Sequence, residues 1–321
     1  MKKLKLFLKA CFPSVIKRYH IIKGDCVSTK RCLKNIITYF KYKKKLKTKF
    51  IRIKAVDNLI ISITSFPARI DFFEYTLFSL IQQTTRPSKI ILWLSEDEFA
   101  KAEKPIPESL AKYSEFNFEI RFVKENYRSY KKLVHCLTDF PNHIIVTADD
   151  DIYYPPNWLE LLYKEHLAFP DDIIAHRVRT ISFTGQKINL YNNWEGSKTD
   201  HSLCNFFTGA GGVLYPPDAL YKDVLNTDLF LTLCPSADDI WFYVMAILKK
   251  TRIRKLKNGY DYAMDFDYIY DKKYLVVPKL TDQNISNNQN DAQLRAVLDY
   301  YNIYDSFYDF TTETTHDTTS N

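Results

Sequence analysis

The part of the chain that most constrains its fold is residues 144–156, in which an uncharged run leads directly into three carboxylates. The run Ile-Ile-Val-Thr-Ala at residues 144–148 is typical of a strand that is buried on both faces. Because an unpaired carboxylate is costly to bury, we expect Asp149, Asp150 and Asp151 where this strand leaves the sheet. Open α/β sheets bind their ligands at that edge, so the segment predicts a binding site.

The chemistry of three adjacent aspartates indicates what such a site binds. Like charges at this spacing raise one another's pKa unless a cation neutralises them. Their oxygen atoms suit Mg²⁺ or Mn²⁺, and these ions in turn suit a diphosphate. The alternative is a solvated acidic turn. Residues 153–156 (Tyr-Tyr-Pro-Pro) argue against that alternative, because a solvated turn needs neither aromatic rings nor prolines to hold it.

The composition is that of a globular chain with a full core. Hydrophobic residues make up 46% and aromatic residues 15% of the 321 residues, and this length allows one large α/β domain with extensions or two small domains. The six cysteines form no CxxC pair and no Cys/His set at zinc spacing, which favours reduced thiols in a cytoplasmic protein. No apolar run approaches about 18 residues, so no transmembrane helix is expected.

Positive charge is concentrated at the start of the chain. Residues 1–54 contain 18 Lys and Arg and one acid, a net charge of +17, whereas the remainder carries 27 bases and 37 acids, a net charge of −10. Apolar residues are interleaved with lysines over residues 34–49, and a basic, partly amphipathic helix of this type lies on anionic bilayers. The pattern favours peripheral attachment to the inner face of the cytoplasmic membrane over a solvated or partner-binding arm. Nucleic acid is the least favoured partner because no recognised binding motif accompanies the charges.

The region after the basic arm follows the order of a doubly wound α/β sheet. The predicted strands are residues 59–64, 90–94, 119–123 and 144–148, and the predicted helices are 71–83, 129–140 and 158–169, with helix and loop over 98–115. The crossover rule places the loops after Thr64, Ser95 and Ala148 along one edge of the sheet. No glycine-rich phosphate loop follows the first strand, so neither a P-loop nor a dinucleotide fingerprint is present.

The second half of the chain has a less regular pattern. It indicates a hairpin at 179–188, a polar aromatic loop at 189–206, a glycine-rich segment at 206–217 and a strand at 274–278. The threonine-rich residues 311–321 favour disorder. The predicted domains are a basic arm (1–56), a nucleotide-binding half (57–151), an acceptor half (152–295) and a C-terminal tail (296–321).

Three sequence blocks resemble the GT-A class of nucleotide-sugar glycosyltransferases, close to the broad family 2 group of bacterial enzymes. The blocks are Thr147-Ala148-Asp149-Asp150-Asp151, Gly209-Ala210-Gly211-Gly212 and Ala237-Asp238-Asp239. The resemblance covers residues 57–295 and implies a GT-A fold, in which helices flank a Rossmann-like, mostly parallel sheet. The Gln-x-x-Arg-Trp signature of processive synthases is absent, which favours the transfer of a single sugar.

The resemblance implies roles for the residues that would bind the donor. Asp149 and Asp151 would hold Mn²⁺ or Mg²⁺ against the diphosphate, with Asp150 near the ribose or the sugar. The ion would act as a Lewis acid that withdraws charge from the departing nucleotide diphosphate. The other expected donor contacts are Thr64 and Arg69 against the nucleotide, Glu96 or Asp97 at the base, and Arg128 and Lys131 near the diphosphate. Ordinary exposed charges at a helix start are the alternative for the last two.

The resemblance also implies a catalytic base at the start of a helix. Asp239 matches the second position of the usual Glu-Asp pair, and Asp238 departs from that pattern by replacing the glutamate. Two adjacent aspartates allow one to stay ionised as the base while the other binds the acceptor or caps the helix. On the acceptor side, Gly211 and Gly212 would let the backbone approach a sugar, and Trp194 would stack on a sugar ring unless it is a packing residue.

Other polar residues have weaker signals. Asn290 and Asp291 are candidates for a third metal ligand, with helix capping as the alternative. The histidines show no ligand spacing and are expected to be structural; they include His135, His143, His166 and His176.

These features predict a metal-dependent inverting glycosyltransferase of the hexosyltransferase type. The donor is expected to be a UDP-sugar, and the acceptor a lipid-linked or cell-surface glycan of the lipopolysaccharide or capsule type. Two alternatives stay open. A sugar-phosphate nucleotidyltransferase usually displays a glycine-rich loop after the first strand, which this chain lacks. A catalytically inactive, membrane-docked scaffold has no need to retain the carboxylates.

Overall fold

A computed structural model describes residues 54–197, 200–260, 265–269 and 289–312. Most of the predicted basic arm (residues 1–53), the strand predicted at 274–278 and residues 313–321 of the tail lie outside the described residues. Among the helices that are described, none combines the length and the apolar character needed to cross a membrane.

Strands and helices alternate through the first half of the described chain. The strands are β1 (Ala55–Thr64), β2 (Arg86–Ser95), β3 (Phe118–Val123), β4 (Ile144–Ala148), β5 (Ile152–Tyr153), β6 (Ile173–Ala175), β7 (Val178–Thr180), β8 (Phe183–Thr184), β9 (Lys187–Ile188), β10 (Glu195–Gly196), β11 (His201–Ser202), β12 (Asn205–Phe207), β13 (Val213–Tyr215), β14 (Ile253–Lys255) and β15 (Asp267–Tyr268). The helices are α1 (Phe73–Ile81), α2 (Glu96–Lys101), α3 (Lys131–Asp139), α4 (Trp158–Ala168), α5 (Thr227–Leu233), α6 (Asp238–Leu248), α7 (Gln289–Tyr300) and α8 (Phe307–Thr312). Short 3₁₀ helices occur at Ile70–Phe72, Glu108–Phe116, Arg128–Tyr130, Tyr191–Asn193 and Lys222–Leu225.

An eight-stranded sheet forms the centre of the molecule, with the order β11-β14-β6-β13-β4-β1-β2-β3. Strands β4, β1, β2 and β3 pair in parallel. Strand β13 runs antiparallel to both of its neighbours, and β11 runs antiparallel to β14. The other six strands share one direction, so the predicted α/β class with a mostly parallel sheet is confirmed. Smaller sheets have the orders β10-β7-β12, β15-β5 and β8-β9, and the last of these confirms a hairpin within the predicted segment 179–188.

Both faces of the central strands are buried, as their uncharged sequences predict. Side chains alternate between the two faces of a strand. On one face, Ile60 of β1 and Ile145 of β4 pack in a core cluster with Leu133 of α3. On the other face, Ile61 and Val146 belong to a second cluster that includes apolar residues of α1 and α4. Helices on both faces leave the carboxyl edge of the sheet as the place where polar groups can gather.

A buried hydroxyl fixes the start of α3 against the sheet. Ser62 of β1 is fully buried, its Oγ donates to the Lys132 carbonyl oxygen, and the same Oγ accepts a hydrogen bond from Trp93 Nε1 at 2.9 Å. The first turn of α3 is therefore held across β1 and β2. This places its two leading lysines, Lys131 and Lys132, at the edge from which Asp149 emerges.

Two predicted boundaries differ from the structure. Helix α2 begins at Glu96 because the Ser95 side chain caps it by accepting a hydrogen bond from the Glu98 backbone N–H. Helix α7 continues through the domain boundary predicted at residue 295, and α8 buries Thr311, which the composition had placed in a disordered tail. Apolar side chains of both helices belong to the main core. The folded unit therefore includes residues up to 312.

Candidate active site

A cavity of about 640 Å³ opens at the carboxyl edge of the central sheet. One wall comes from the nucleotide-binding half and includes Thr64, Ser65, Phe66, Arg69, Glu98, Arg128, Ser129, Lys131 and Lys132. The floor contains Ala148, Asp149, Asp150 and Asp151. The opposite wall includes Arg177, Arg179, Tyr191, Phe206, Thr208, Gly209, Ala210, Asp238, Asp239, Tyr268 and Asn290. The structure thus brings the predicted carboxylate motif and the predicted Asp-Asp pair into one cavity.

The middle aspartate of the motif is anchored by the loop after β1. Asp150 Oδ2 accepts a hydrogen bond from Ser65 Oγ at 2.5 Å, and its Oδ1 accepts one from Arg69 Nη1 at 2.7 Å. The Thr76 hydroxyl donates to the Asp150 carbonyl oxygen at 2.9 Å. Arg69 Nη1 also lies 3.6 Å from Asp151 Oδ2. The loop after β1 therefore holds the middle carboxylate of the motif in place.

Lys132 connects the two groups of carboxylates. Its Nζ lies 3.3 Å from Asp149 Oδ1 and 3.7 Å from Asp238 Oδ2, and the side chain is buried. Asp239 Oδ1 accepts a hydrogen bond from the Gly209 backbone N–H at 2.9 Å. Burial alone would lower the pKa of Lys132, but Asp149, Asp238 and Asp239 together raise it above its usual value. The Lys132 ammonium group therefore stays charged, and it interacts electrostatically with the carboxylates of Asp149, Asp238 and Asp239.

One ammonium group does not neutralise the carboxylates of Asp149, Asp238 and Asp239, and the pKa values of Asp149 and Asp239 reflect this. Burial raises the pKa of Asp149 to about 6, with Lys132 opposing the shift and Asp151 adding to it. Burial and then Asp238 raise the pKa of Asp239 to about 7, again against the effect of Lys132. Once Asp149 and Asp239 are ionised, the carboxylates around Lys132 carry more negative charge than its single ammonium group balances, which favours the binding of a cation next to them.

The predicted metal ligands suit Mg²⁺ or Mn²⁺ that is bound together with a diphosphate. Across the part of the chain that the structure describes, no three His, Cys, Asp or Glu side chains are grouped to hold a metal by themselves. Mg²⁺ does not need such a group, because it is usually held by one or two carboxylates, substrate phosphates and water. The Asp149 side chain is 27% exposed and the Asp151 side chain 12% exposed, and both line the cavity.

Most of the predicted donor contacts line the cavity, and one does not. Thr64 lines it and donates from its hydroxyl to the Trp93 carbonyl oxygen at 2.9 Å. Lys131 Nζ lies 2.8 Å from Glu98 Oε2, and burial lowers the pKa of this lysine although Glu98 opposes the shift. Exposed Arg128 lies at the rim. Glu96 and Asp97, the two candidates for the contact with the nucleotide base, are also exposed, and neither is part of the lining. The Ser95 cap starts α2 early and presents Glu98 to the cavity instead.

Gly211, Gly212 and Trp194 were predicted to contact a sugar, but in the structure all three pack against other residues of the protein. Gly211 and Gly212 adopt φ of +91° and +97°, but what approaches them is Trp158, whose Nε1 donates to the Gly211 carbonyl oxygen at 2.6 Å. A Cβ on Gly212 would lie 2.4 Å from that indole. Trp194 is buried against Tyr191 and Phe206, with its Nε1 bonded to a backbone carbonyl. None of these three predicted residues lines the cavity, whereas Gly209 does.

The sequence analysis did not predict several residues of the cavity, and it gave one nearby residue a role that the structure does not support. Lys132 lies four residues before buried Cys136 on α3, so helical spacing was an available signal that it faces the sheet. Arg177 and Arg179 flank buried Val178 of β7, but nothing in the sequence relates that strand to the cavity. Asp291, weighed as a metal ligand, instead accepts a hydrogen bond from the Tyr191 backbone N–H at 2.7 Å.

The sequence of the chain identifies its family. A model of glycosyl transferase family 2 matches residues 61–221, which is half of the chain. The chain belongs to glycosyl transferase family 2. This membership confirms the predicted class, a nucleotide-sugar glycosyltransferase, and the matched segment runs from β1 through the aspartate motif to the glycine-rich turn. No curated protein matches the chain.

Solved structures resemble this chain only distantly. CMP:2-keto-3-deoxy-manno-octonic acid synthetase complexed with CTP is 11% identical, with 62% of this chain and 88% of that chain covered and a TM-score of 0.38. S. aureus TarS 1-349 is 15% identical, with 66% and 59% covered and a TM-score of 0.42. TarS 1-349 in complex with UDP is 14% identical, with 80% and 73% covered and a TM-score of 0.42. The family assignment therefore rests on the family match.

Proposed function

We propose that this protein is a metal-dependent, inverting glycosyltransferase that moves one sugar from a UDP-sugar to a hydroxyl group of a lipid-linked or cell-surface glycan. Asp149 and Asp151 would hold Mn²⁺ or Mg²⁺, and Asp239 would act as the base. The observation that carries the proposal is the position of Lys132, which lies within 4 Å of both Asp149 and Asp238. A group held by the aspartate motif and a hydroxyl held at the start of α6 would therefore meet in one cavity.

The proposed reaction follows from the groups that line this cavity. The acceptor hydroxyl would donate its proton to an Asp239 oxygen while the acceptor oxygen bonds to the anomeric carbon of the donor. The bond between that carbon and the diphosphate oxygen would break, and UDP would leave with the electron pair. Bound Mn²⁺ or Mg²⁺ would supply Lewis-acid stabilisation of the diphosphate. Asp150 would keep the motif in place, because Ser65 and Arg69 hold it in the loop after β1.

Replacement of Asp151 by asparagine tests the proposed metal site. With UDP-sugar as donor and transfer or donor hydrolysis as the readout, we expect the rate to fall at least about 100-fold, because an amide oxygen is a weaker ligand than a carboxylate. Chelation of the wild-type protein should give a similar loss, and Mn²⁺ should restore the wild-type rate but not the D151N rate. Full turnover of D151N, or turnover in excess chelator, would contradict the assigned role.

The matched control for this experiment is Asp299→Asn. Asp299 is a half-exposed aspartate that pairs with Arg295 on the surface of α7, away from the cavity. The D299N protein should keep the wild-type rate and the wild-type metal response. In parallel, incubation with a nucleoside triphosphate and a sugar phosphate distinguishes a nucleotidyltransferase, which would release pyrophosphate.

The basic arm is proposed to hold the protein on an anionic membrane surface at the cytoplasmic face. The proposal is supported by the net charge of +17 over residues 1–54, since each Lys or Arg near such a surface contributes on the order of 1 kcal/mol. Sedimentation of the full chain with anionic liposomes should be strong at low salt and weak at high salt. Neutral liposomes should not sediment it. Equal binding to both liposome types, or binding that persists without residues 1–54, would exclude this role for the arm.

A further inference from the structure

The loop between β12 and β13 contacts the proposed base through its backbone. Gly209 lines the cavity, and its backbone N–H donates to Asp239 Oδ1 at 2.9 Å. The bond joins two residues that are 30 positions apart, one in this loop and one in the first turn of α6. The proposed reaction uses the Asp239 carboxylate but gives Gly209 no role.

The backbone conformation at position 209 does not require a glycine. Gly211 and Gly212 have φ above zero, whereas Gly209 does not. Residues with a side chain disfavour positive φ but adopt negative φ readily. What glycine supplies at position 209 is therefore the space that a side chain would fill.

That space is occupied by the side chains of Asp239 and Lys132. A Cβ at position 209 would lie 2.9 Å from Asp239 Oδ1 and 3.0 Å from Lys132 Nζ. Carbon and oxygen atoms in contact lie about 3.3–3.6 Å apart, so the carboxylate would have to move by about half an ångström. Catalytic groups need to be held within about 0.5 Å of their productive position, so a shift of this size matters for a base.

The loop is bonded to the rest of the protein on both sides of Gly209. The Thr208 backbone N–H donates to the Arg177 carbonyl oxygen at 3.1 Å, and the Gly209 carbonyl oxygen accepts a hydrogen bond from the Gly212 backbone N–H at 3.0 Å. Gly212 in turn packs against the indole of Trp158. The backbone at position 209 therefore has little freedom to withdraw from the base.

The start of α6 is fixed as firmly as the loop. The backbone N–H groups of Ile240 and Trp241 donate to the Ala237 carbonyl oxygen at 2.9 and 3.3 Å. Residues 240–247, which follow the base, are each at most 1% exposed. A shift of the helix would disturb this core, so the side chain of Asp239 is the part that would give way to a Cβ.

We propose that Gly209 is a positioning residue for the base. Its backbone N–H orients the Asp239 carboxylate through Oδ1, and its lack of a side chain leaves room for that carboxylate beside Lys132. This inference rests on the proposed function, in which Asp239 takes the proton of the acceptor hydroxyl. With Oδ1 bonded to the loop, Oδ2 is the oxygen that receives this proton.

The rate of Gly209→Ala tests the effect on the reaction. The readout is UDP release by the full chain from UDP-glucose or UDP-N-acetylglucosamine with Mn²⁺. A misplacement of about 1 Å can cost about 100-fold, so we expect kcat to fall about 10- to 100-fold. The Kd of UDP with Mn²⁺, measured by calorimetry, should stay within about twofold, because the lost interaction belongs to the transfer step.

Gly196→Ala is the matched control for Gly209→Ala. Gly196 also lacks a positive φ, it is exposed in β10, and a Cβ there would meet no other atom within 4 Å. The residue does not line the cavity. The G196A protein should therefore keep the wild-type kcat and the wild-type Kd of UDP.

A double-mutant cycle with Asp239→Ala tests whether Gly209 acts through the base. D239A removes the carboxylate that a Cβ at position 209 would displace. G209A should therefore lower the melting temperature more in the wild-type background than in the D239A background. It should also leave the residual rate of D239A unchanged. A purely structural role of Gly209 would lower both quantities equally in the two backgrounds.

The outcomes separate this inference from the proposed function. A wild-type kcat in G209A, or the same melting-temperature shift in both backgrounds, would overturn the positioning role. Loss of UDP binding or of the fold in G209A would overturn it too, because glycine would then be needed for the donor site or the backbone. If the wild type releases no UDP, or D239A keeps full kcat, the proposed function itself is wrong. The melting temperatures would still report the contact between Gly209 and Asp239 in that case.

Discussion

Replacement of Asp239 by asparagine is expected to lower the rate of sugar transfer strongly while the fold is retained. A positioned general base contributes about 10²–10⁴-fold to a rate, so kcat should fall by about that factor. Asparagine keeps an oxygen that can accept the bond from the Gly209 backbone N–H, so the start of α6 should stay in place. Steady-state kinetics with UDP-sugar and Mn²⁺, together with circular dichroism, would measure both effects.

The pH dependence of the wild-type protein provides a second readout for Asp239. Burial and Asp238 raise the pKa of Asp239 to about 7, and only the ionised form can accept a proton. The transfer rate should therefore decline about tenfold per pH unit below neutrality and level off above it. In D239N the residual rate should lose this dependence, because the titrating group has been removed.

The raised pKa of Asp239 also predicts that D239N is more stable than the wild type at high pH. The folded protein keeps a proton on Asp239 up to about pH 7, whereas an unperturbed aspartate loses it near 3.8. The free energy of unfolding of the wild type should consequently decrease as pH rises across this window, because the folded state binds the extra proton. We expect D239N to melt a few degrees above the wild type at pH 8 and close to it at pH 4. Lower stability at both pH values would contradict this view of the site.

Asp238→Asn is the matched comparison for Asp239. It removes the same charge one residue away, also within reach of Lys132. If Asp239 is the base, D238N should lose less kcat than D239N and should still depend on pH, with the decline moved to lower pH because Asp238 no longer raises the pKa of Asp239. Equal losses in the two variants would mean that the pair acts as a unit, and a larger loss in D238N would assign the base to Asp238.

The aspartate motif and its position could be predicted from sequence because local rules are sufficient there. An uncharged run at 144–148 must be buried, and three unpaired charges cannot follow it into the core, so they are expected at the edge of the sheet. Asp150 is buried there because Ser65 and Arg69 pair with its carboxylate. The same reasoning identified β1 and β2, whose apolar runs have the length of strands. In each of these cases the sequence pattern that predicts the strand lies within the strand itself, which has ten residues or fewer.

The acceptor side could not be predicted in the same way because its contacts join distant parts of the chain. The glycine pattern includes Gly211 and Gly212, and the backbone has φ above zero at both. It does not reveal that the backbone there is approached by Trp158, which is 53 residues from Gly211, rather than by a sugar. An aromatic residue in a polar loop likewise gives no sign of burial, and Trp194 is buried because the cluster around Phe206 covers it.

The largest effect on stability is expected from Lys132→Met. Methionine fills a similar volume but leaves Asp149, Asp238 and Asp239 without the ammonium group that they share. Removal of one partner from a buried ion pair costs about 3–5 kcal/mol, and here a single partner serves three carboxylates. Denaturant unfolding at pH 8 should therefore show a loss of at least this size. At pH 5 the loss should be smaller, because Asp149 and Asp239 then take up protons and no longer need the cation.

The neighbouring Lys131→Met variant is the control for Lys132→Met. It measures the loss of stability that follows from removing a buried lysine that is not shared by Asp149, Asp238 and Asp239. The Lys131 side chain is 2% exposed and that of Lys132 is 9% exposed, but Lys131 pairs with Glu98, whose side chain is 28% exposed and can be rehydrated. Its loss of stability should be smaller and should vary less between pH 5 and pH 8. Mn²⁺ should raise the melting temperature of K132M more than that of K131M, since a cation at Asp149 restores part of the missing charge. Equal losses in the two lysine variants, independent of pH, would show that Lys132 acts by packing and does not join the metal motif to the base.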